Sequence, residues 1–188
     1  IAVMRAHESE PTAAVFGPFQ EILDWLPADA IIAVDMPIGL PEQGTKGGRE
    51  AERSVRPLLR KRRSSVFSIP SRAAVYAEIG PFPKGTYVQA HARASKVAQE
   101  SSPSASSFPI QAFGIFPKIR EIDHILRQDP ALQQRLHESH PEIAFQALNE
   151  GVEMTHKKST ASGEAERCQL LERHGFSAGF LGRRDFSK

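Results

Sequence analysis

A single cysteine, Cys168, among 188 residues excludes an internal disulfide framework and a cysteine-based zinc cluster. A reducing, cytoplasmic setting is the expectation that follows. No apolar run approaches the ~20 residues that span a bilayer, so no membrane association is expected. The opening run Ile1–Arg5 lacks the layout of a signal peptide. Also missing are a Gly-x-x-x-x-Gly-Lys-Ser/Thr loop, a Gly-x-Gly-x-x-Gly turn and a Gly-x-Ser-x-Gly elbow. Their absence leaves a P-loop, a dinucleotide fingerprint and a serine-hydrolase nucleophile without support. No internal repeat is visible.

What is present is an ordinary globular composition, 40% hydrophobic and 24% charged, in a length that suits one domain with an insertion. Ile1–Met4 and Ala13–Phe16 are apolar runs flanking a polar stretch with Glu8, Ser9 and Glu10, the layout of two antiparallel strands. Pro18 opens a helix with Phe19, Ile22, Leu23 and Leu26 at i, i+3, i+4, i+7. The run Ala30–Val34 predicts a strand buried on both faces. Helices are expected at Gly48–Arg56 (ended by Pro57), Ser71–Glu78 and Tyr87–Gln99, followed by a flexible connector at Ser101–Ser107. An apolar stripe from Ile115 to Leu126 is broken near its start by Pro117. A short strand at Leu136–Ser139, a helix at Ile143–Leu148 and a last helix from Gly163 to His174, capped by Ser162, complete the order. Such an order is α/β with at least one parallel pairing. It puts Asp35 at the carboxyl end of a strand, where open α/β sheets bind ligands.

Asp35 has two readings: a ligand for Mg²⁺ or Mn²⁺, hard ions that prefer carboxylate oxygen, or a turn or helix cap holding backbone N–H groups. Glu142, after the second strand, is either its partner carboxylate, catalytic and metal-binding, or a first-turn acid favoured by the helix dipole. His140 is an accessory ligand or proton carrier on one reading and a structural histidine on the other. From Lys46 to Arg63 the local charge is +6, against +2 for the whole chain. Arg49, Arg53, Arg56 and Arg60 fall at i, i+4, i+7, i+11, one stripe if a helix survives Pro57. Arg62, Arg63 and the Ser64 hydroxyl follow. These groups suit phosphate contact with a polyanion; the alternative is a solvated helix face. Lys118 and Glu121 sit on an amphipathic turn that normally faces solvent. Lys157 and Lys158 precede the last helix, in either a phosphate-holding loop or a merely polar one.

Five segments occur in order: AVDMPIGLPE (Ala33–Glu42), RRSSVFSIPSRAA (Arg62–Ala74), FPKIREID (Phe116–Asp123), ESHPEIAFQALN (Glu138–Asn149) and KKSTASGEAER (Lys157–Arg167). Together they resemble the DUF429 family of predicted nucleases. The resemblance implies a ribonuclease H-like α/β fold: a mixed sheet with flanking helices and a largely helical insertion at about 41–130. It also implies a two-metal phosphodiesterase acting on nucleic acid, with Asp35 and Glu142 as ligands and the arginines, Lys118, Lys157 and Lys158 along the phosphate backbone. Such proteins open on an Asp-bearing strand and close on an Asp-rich helix. Neither is found here, and the expectation is a chain shortened at both ends. A non-catalytic nucleic-acid-binding module and a small-molecule phosphate or nucleotide enzyme are the rival expectations. DNA versus RNA and the oligomeric state are left open by the sequence.

Overall fold

A computed structural model describes residues 2–4, 10–103 and 107–183. Ile1, Glu8, Ser9 and part of the Ser101–Ser107 connector lie outside them. The fold is mixed α/β, and the chain forms two compact units, 1–30 with 141–188 and 31–140.

In the first unit β1 (Ala2–Met4) pairs antiparallel with β2 (Thr12–Ala14), Val3 facing Ala13. After Pro18 comes α1 (Phe19–Trp25), which buries Phe19. The unit is completed by α6 (Pro141–Leu148), α7 (Ala161–Arg173) and α8 (Ala178–Leu181). The N-cap of α7 is Thr160, not Ser162: its hydroxyl accepts from Gly163 N at 3.1 Å. The reason is steric. A Cβ on Gly163 would lie 1.9 Å from the Lys157 carbonyl oxygen, so the helix starts where only glycine lets the preceding loop close.

In the second unit β3 (Ile32–Val34) pairs in parallel with β4 (Leu136–Glu138), Val34 opposite Glu138. Parallel neighbours need a long crossover, and this one contains α2 (Glu50–Val55), α3 (Arg72–Tyr76), α4 (Tyr87–Ser101) and α5 (Ile110–Gln128). The expectation of a strand buried on both faces is corrected. Ile32 is buried, whereas Ala33 is exposed and Ile31 is 73% exposed. Alternation along a strand with β4 as its described neighbour puts one face inward.

The core of this unit lies among α3, α4 and α5. Ala90, Ala94 and Ala98 repeat at i, i+4, i+8 on α4 and are fully or almost fully buried. Such a stripe lets neighbouring elements approach closely. The bulk comes from α5, whose Phe113, Phe116 and Ile119 join the same cluster. The expected break at Pro117 does not occur: α5 runs through it. An interior proline costs about 3 kcal/mol, but burial of a side chain such as Phe or Ile returns about 1.5–3 kcal/mol each. Pro117 itself lies on the exposed side of the helix.

Among the described residues, no helix is long and apolar enough to cross a membrane.

Candidate functional site at the carboxyl end of the parallel strands

The end of β3 and the end of β4 come together through register. Glu138 faces Val34, and Ser139 N donates to the Val34 carbonyl at 2.9 Å, so Asp35 emerges beside the chain running from Glu138 to His140. Asp35 is exposed and makes no hydrogen bond or ion pair with any described residue. The cap expected on the structural reading of Asp35 is therefore not formed. The loop that follows it is held by another acid.

That acid is Glu138. Its carboxylate accepts from Ile38 N at 2.9 Å and from both terminal nitrogens of Arg49, at 2.9 and 2.7 Å. Arg49 also donates to the Ile38 carbonyl and, through Nε at 2.6 Å, to Glu52. Glu52 accepts in turn from the Arg49 backbone N–H, which tethers the start of α2. Burial alone lowers the Arg49 pKa, but the Glu138 and Glu52 carboxylates outweigh it and the guanidinium titrates above its usual value. One arginine thus ties the loop after β3, the end of β4 and the first turn of α2 into a single clamp. Gly48 makes room for it: φ is +93°, and a Cβ there would lie 2.3 Å from Glu52 Oε2.

The arginine stripe ends with α2 before Pro57, and its first members turn back onto the protein. Arg53 donates to Thr45 Oγ1 at 2.5 Å and to the Gly48 carbonyl at 2.6 Å. Arg56 donates to the carbonyls of Gly47 (2.6 Å) and Val66 (3.2 Å) and to Ser68 Oγ at 3.0 Å. The scarcity of acids in this segment has a structural meaning, since carbonyl oxygens take the guanidinium donors.

The end of the segment behaves differently. Arg60, Lys61, Arg63 and Ser64 are exposed, with Arg62 half-buried. Ser65 Oγ lies 3.2 Å from His140 Nε2, which brings this basic turn to the end of β4. Nδ1 of His140 is buried without a hydrogen-bond partner among the described residues. On α5, Lys118 pairs with Glu121 at 2.9 Å, an exposed i, i+3 contact.

Glu142 sits elsewhere in the chemistry. Both its oxygens accept from Arg167 Nη2 at 3.0 Å, and the two side chains are about nine-tenths buried. Arg167 Nη1 also donates to the carbonyls of His156 and Gly163. Lys157 and Lys158 are exposed in the loop before α7. The Lys157 carbonyl accepts from Thr160 N at 3.0 Å.

No three His, Cys, Asp or Glu residues gather closely enough to hold a metal ion among the described residues. Asp35 fits a single ligand position, with its carboxylate open to solvent. Glu138 and Glu142 are committed to arginines.

Glu138 and Arg167 are the residues that sequence reasoning passed over. Glu138 had a readable signal, because it ends the second strand as Asp35 ends the first. Arg167 had none in its own surroundings. The segments Arg62–Ala74 and Phe116–Asp123 meet through Arg72 Nη1, which pairs with the buried Asp123 carboxylate, and Tyr76, just beyond the first segment, donates its hydroxyl to Asp123 at 2.8 Å. Arg72 reaches the segment Ala33–Glu42 as well, donating to the Leu40 carbonyl at 3.1 Å and to Glu42 at 3.2 Å. These segments thus supply one another's ion-pair partners.

No curated protein and no solved structure matches the chain. A family model described as a protein of unknown function, DUF429, matches residues 1–186, and the chain belongs to that family.

Proposed function

We propose that this protein is a nucleic-acid phosphodiesterase dependent on Mg²⁺ or Mn²⁺, acting in the cytoplasm on a ribonuclease H-like arrangement. The observation that carries this reading is the contrast at the strand ends: Asp35 keeps its carboxylate open while Glu138 and Arg49 hold the loop. The basic turn joined to His140 through Ser65 lies in the same unit and offers side chains suited to phosphate. A hard cation takes such an oxygen and neutralises charge developing on a phosphodiester. Because the described residues gather no group of three metal-ligating side chains, no step is derived through the ion. This chain's own contribution is to present Asp35 and to hold the phosphate backbone.

The test is cleavage of labelled DNA and RNA by the protein with Mn²⁺, compared with its Asp35→Asn variant. Loss of metal-dependent cleavage with nucleic-acid binding retained supports the reading. Metal-dependent turnover surviving in the variant overturns it. A second reading, a binding module without catalysis, is favoured by the locked Glu142–Arg167 pair. Salt-dependent binding with no cleavage under any divalent ion selects it. Removing charges at Arg60, Lys61, Arg62 and Arg63 then reduces the salt slope by about 0.7–0.9 for each phosphate that is no longer neutralised.

A further inference from the structure

A second site lies in the crossover, away from the strand-end chemistry in sequence. Residues 78–82, the start of α4 and the middle of α5 enclose a cleft of about 440 Å³, within the usual range for small-molecule sites. Its walls are aromatic. Phe82, Tyr87 and Phe113 stand with ring centroids 5.1–5.8 Å apart, and Phe116 lies behind Phe113. Packing among themselves leaves ring surface open at the mouth, where Phe82 is half-buried and Tyr87 is exposed.

Two charged side chains line this cleft, and they are not equivalent. Glu78 is already neutralised: Arg93 donates to its two oxygens at 2.6 and 2.7 Å. Arg120 has no such partner. Its Nη1 donates to the carbonyls of Val75 and Glu78 at 2.8 and 3.1 Å, and no carboxylate of the described residues pairs with it. Burial accordingly lowers its pKa, and the nearby Tyr76 phenol offsets this only in part. A half-buried guanidinium without an anion is costly, and a ligand anion would relieve that cost.

An aromatic-walled cleft with one uncompensated guanidinium suits a flat π system carrying an anionic group. We propose that this cleft binds one unpaired nucleotide, its base against Phe82, Tyr87 and Phe113 and its phosphate on Arg120. Unpaired bases stack on aromatic side chains and paired ones cannot enter such a pocket. The inference rests on the nucleic-acid reading above and sharpens it to single-stranded substrate. A free nucleotide offers the same chemistry and is separated in the test.

Binding is measured by calorimetry in EDTA, so that cleavage and metal play no part. The probes are a nucleoside 5′-monophosphate, the corresponding nucleoside, a single-stranded octamer and its duplex. Gly114→Leu is the blocking variant. Gly114 is exposed on α5, and a Cβ there meets only the Tyr87 hydroxyl, at 3.3 Å, while leucine is the better helix former. Arg120→Met keeps the stem and removes the charge. Urea unfolding of each variant checks its fold; should Gly114→Leu unfold, Phe82→Leu replaces it as the test of the aromatic wall.

The octamer is expected to bind the parent more tightly than the duplex. Gly114→Leu weakens it by at least about fivefold. Arg120→Met weakens the monophosphate by about tenfold but leaves the nucleoside unchanged. Monophosphate binding with the octamer excluded overturns the single-strand assignment and gives the cleft to free nucleotides. Equal affinity of parent and both variants overturns the proposal, as does duplex binding as tight as single-strand binding. The strand-end reading fails separately, through Asp35→Asn, which leaves cleft binding untouched.

Discussion

Asp35 and Glu142 each follow a short strand in the sequence, and the protein treats them in opposite ways. Glu142 is buried and gripped by Arg167, which is also held by two carbonyls. Asp35 is exposed and engages no described residue. The difference teaches that position after a strand does not decide whether a carboxylate is paired. What separates them is a cation supplied 25 residues away from Glu142 and nothing comparable for Asp35 among the described residues. The same division runs through the arginines. Arg49, Arg53 and Arg56 spend their donors on the protein, while the turn at Arg60–Arg63 stays at the surface.

The strongest way to break this comparison is to remove Arg167. Arg167→Ala leaves Glu142 buried without its cation, and the expected loss in urea unfolding is about 3–5 kcal/mol. Asp35→Asn is expected within about 0.5 kcal/mol of the parent. Comparable losses at the two sites would mean that Asp35 is structurally engaged after all.

Next in size is the clamp that leaves Asp35 open. Gly48→Ala puts a side chain at φ +93° against Glu52 and should cost about 1–3 kcal/mol. Arg49→Lys keeps the charge but not the fork that meets Glu138 and Glu52 together. A loss of about 1–2 kcal/mol is expected, accompanied by faster hydrogen exchange at Ile38 N. Unchanged exchange there would show that Glu138 holds the loop without Arg49.

The smallest effect is electrostatic and lies on the surface. The hydrogen bonds from Arg93 hold Glu78 below the usual glutamate range. A group whose pKa is lowered by folding adds stability above its unfolded pKa and loses it as pH falls through the folded value. Glu78→Gln should therefore lower the neutral plateau slightly and converge with the parent at low pH, which flattens the acid limb between them. An acid limb identical to the parent's would show that the Glu78–Arg93 pair contributes nothing in solution.

Several elements are legible in the sequence. The antiparallel pair, α1 after Pro18, the helix ended by Pro57 and the strand at Leu136 all follow from local rules, because proline geometry and apolar spacing act over a few residues. Asp35 at a strand end and the basic cluster were readable for the same reason. Tertiary packing decided the rest. It carried α5 through Pro117, because its buried aromatic face outweighs one missing hydrogen bond. It moved the α7 cap to Thr160, because Gly163 meets the Lys157 carbonyl. Above all, it chose the partner of each charge. Arg49 with Glu138, Arg72 with Asp123 and Arg167 with Glu142 are separated by 89, 51 and 25 residues. Composition announces that charges are present. Only the fold brings particular ones within hydrogen-bond reach, and so decides which carboxylates are paired and which stay open to solvent.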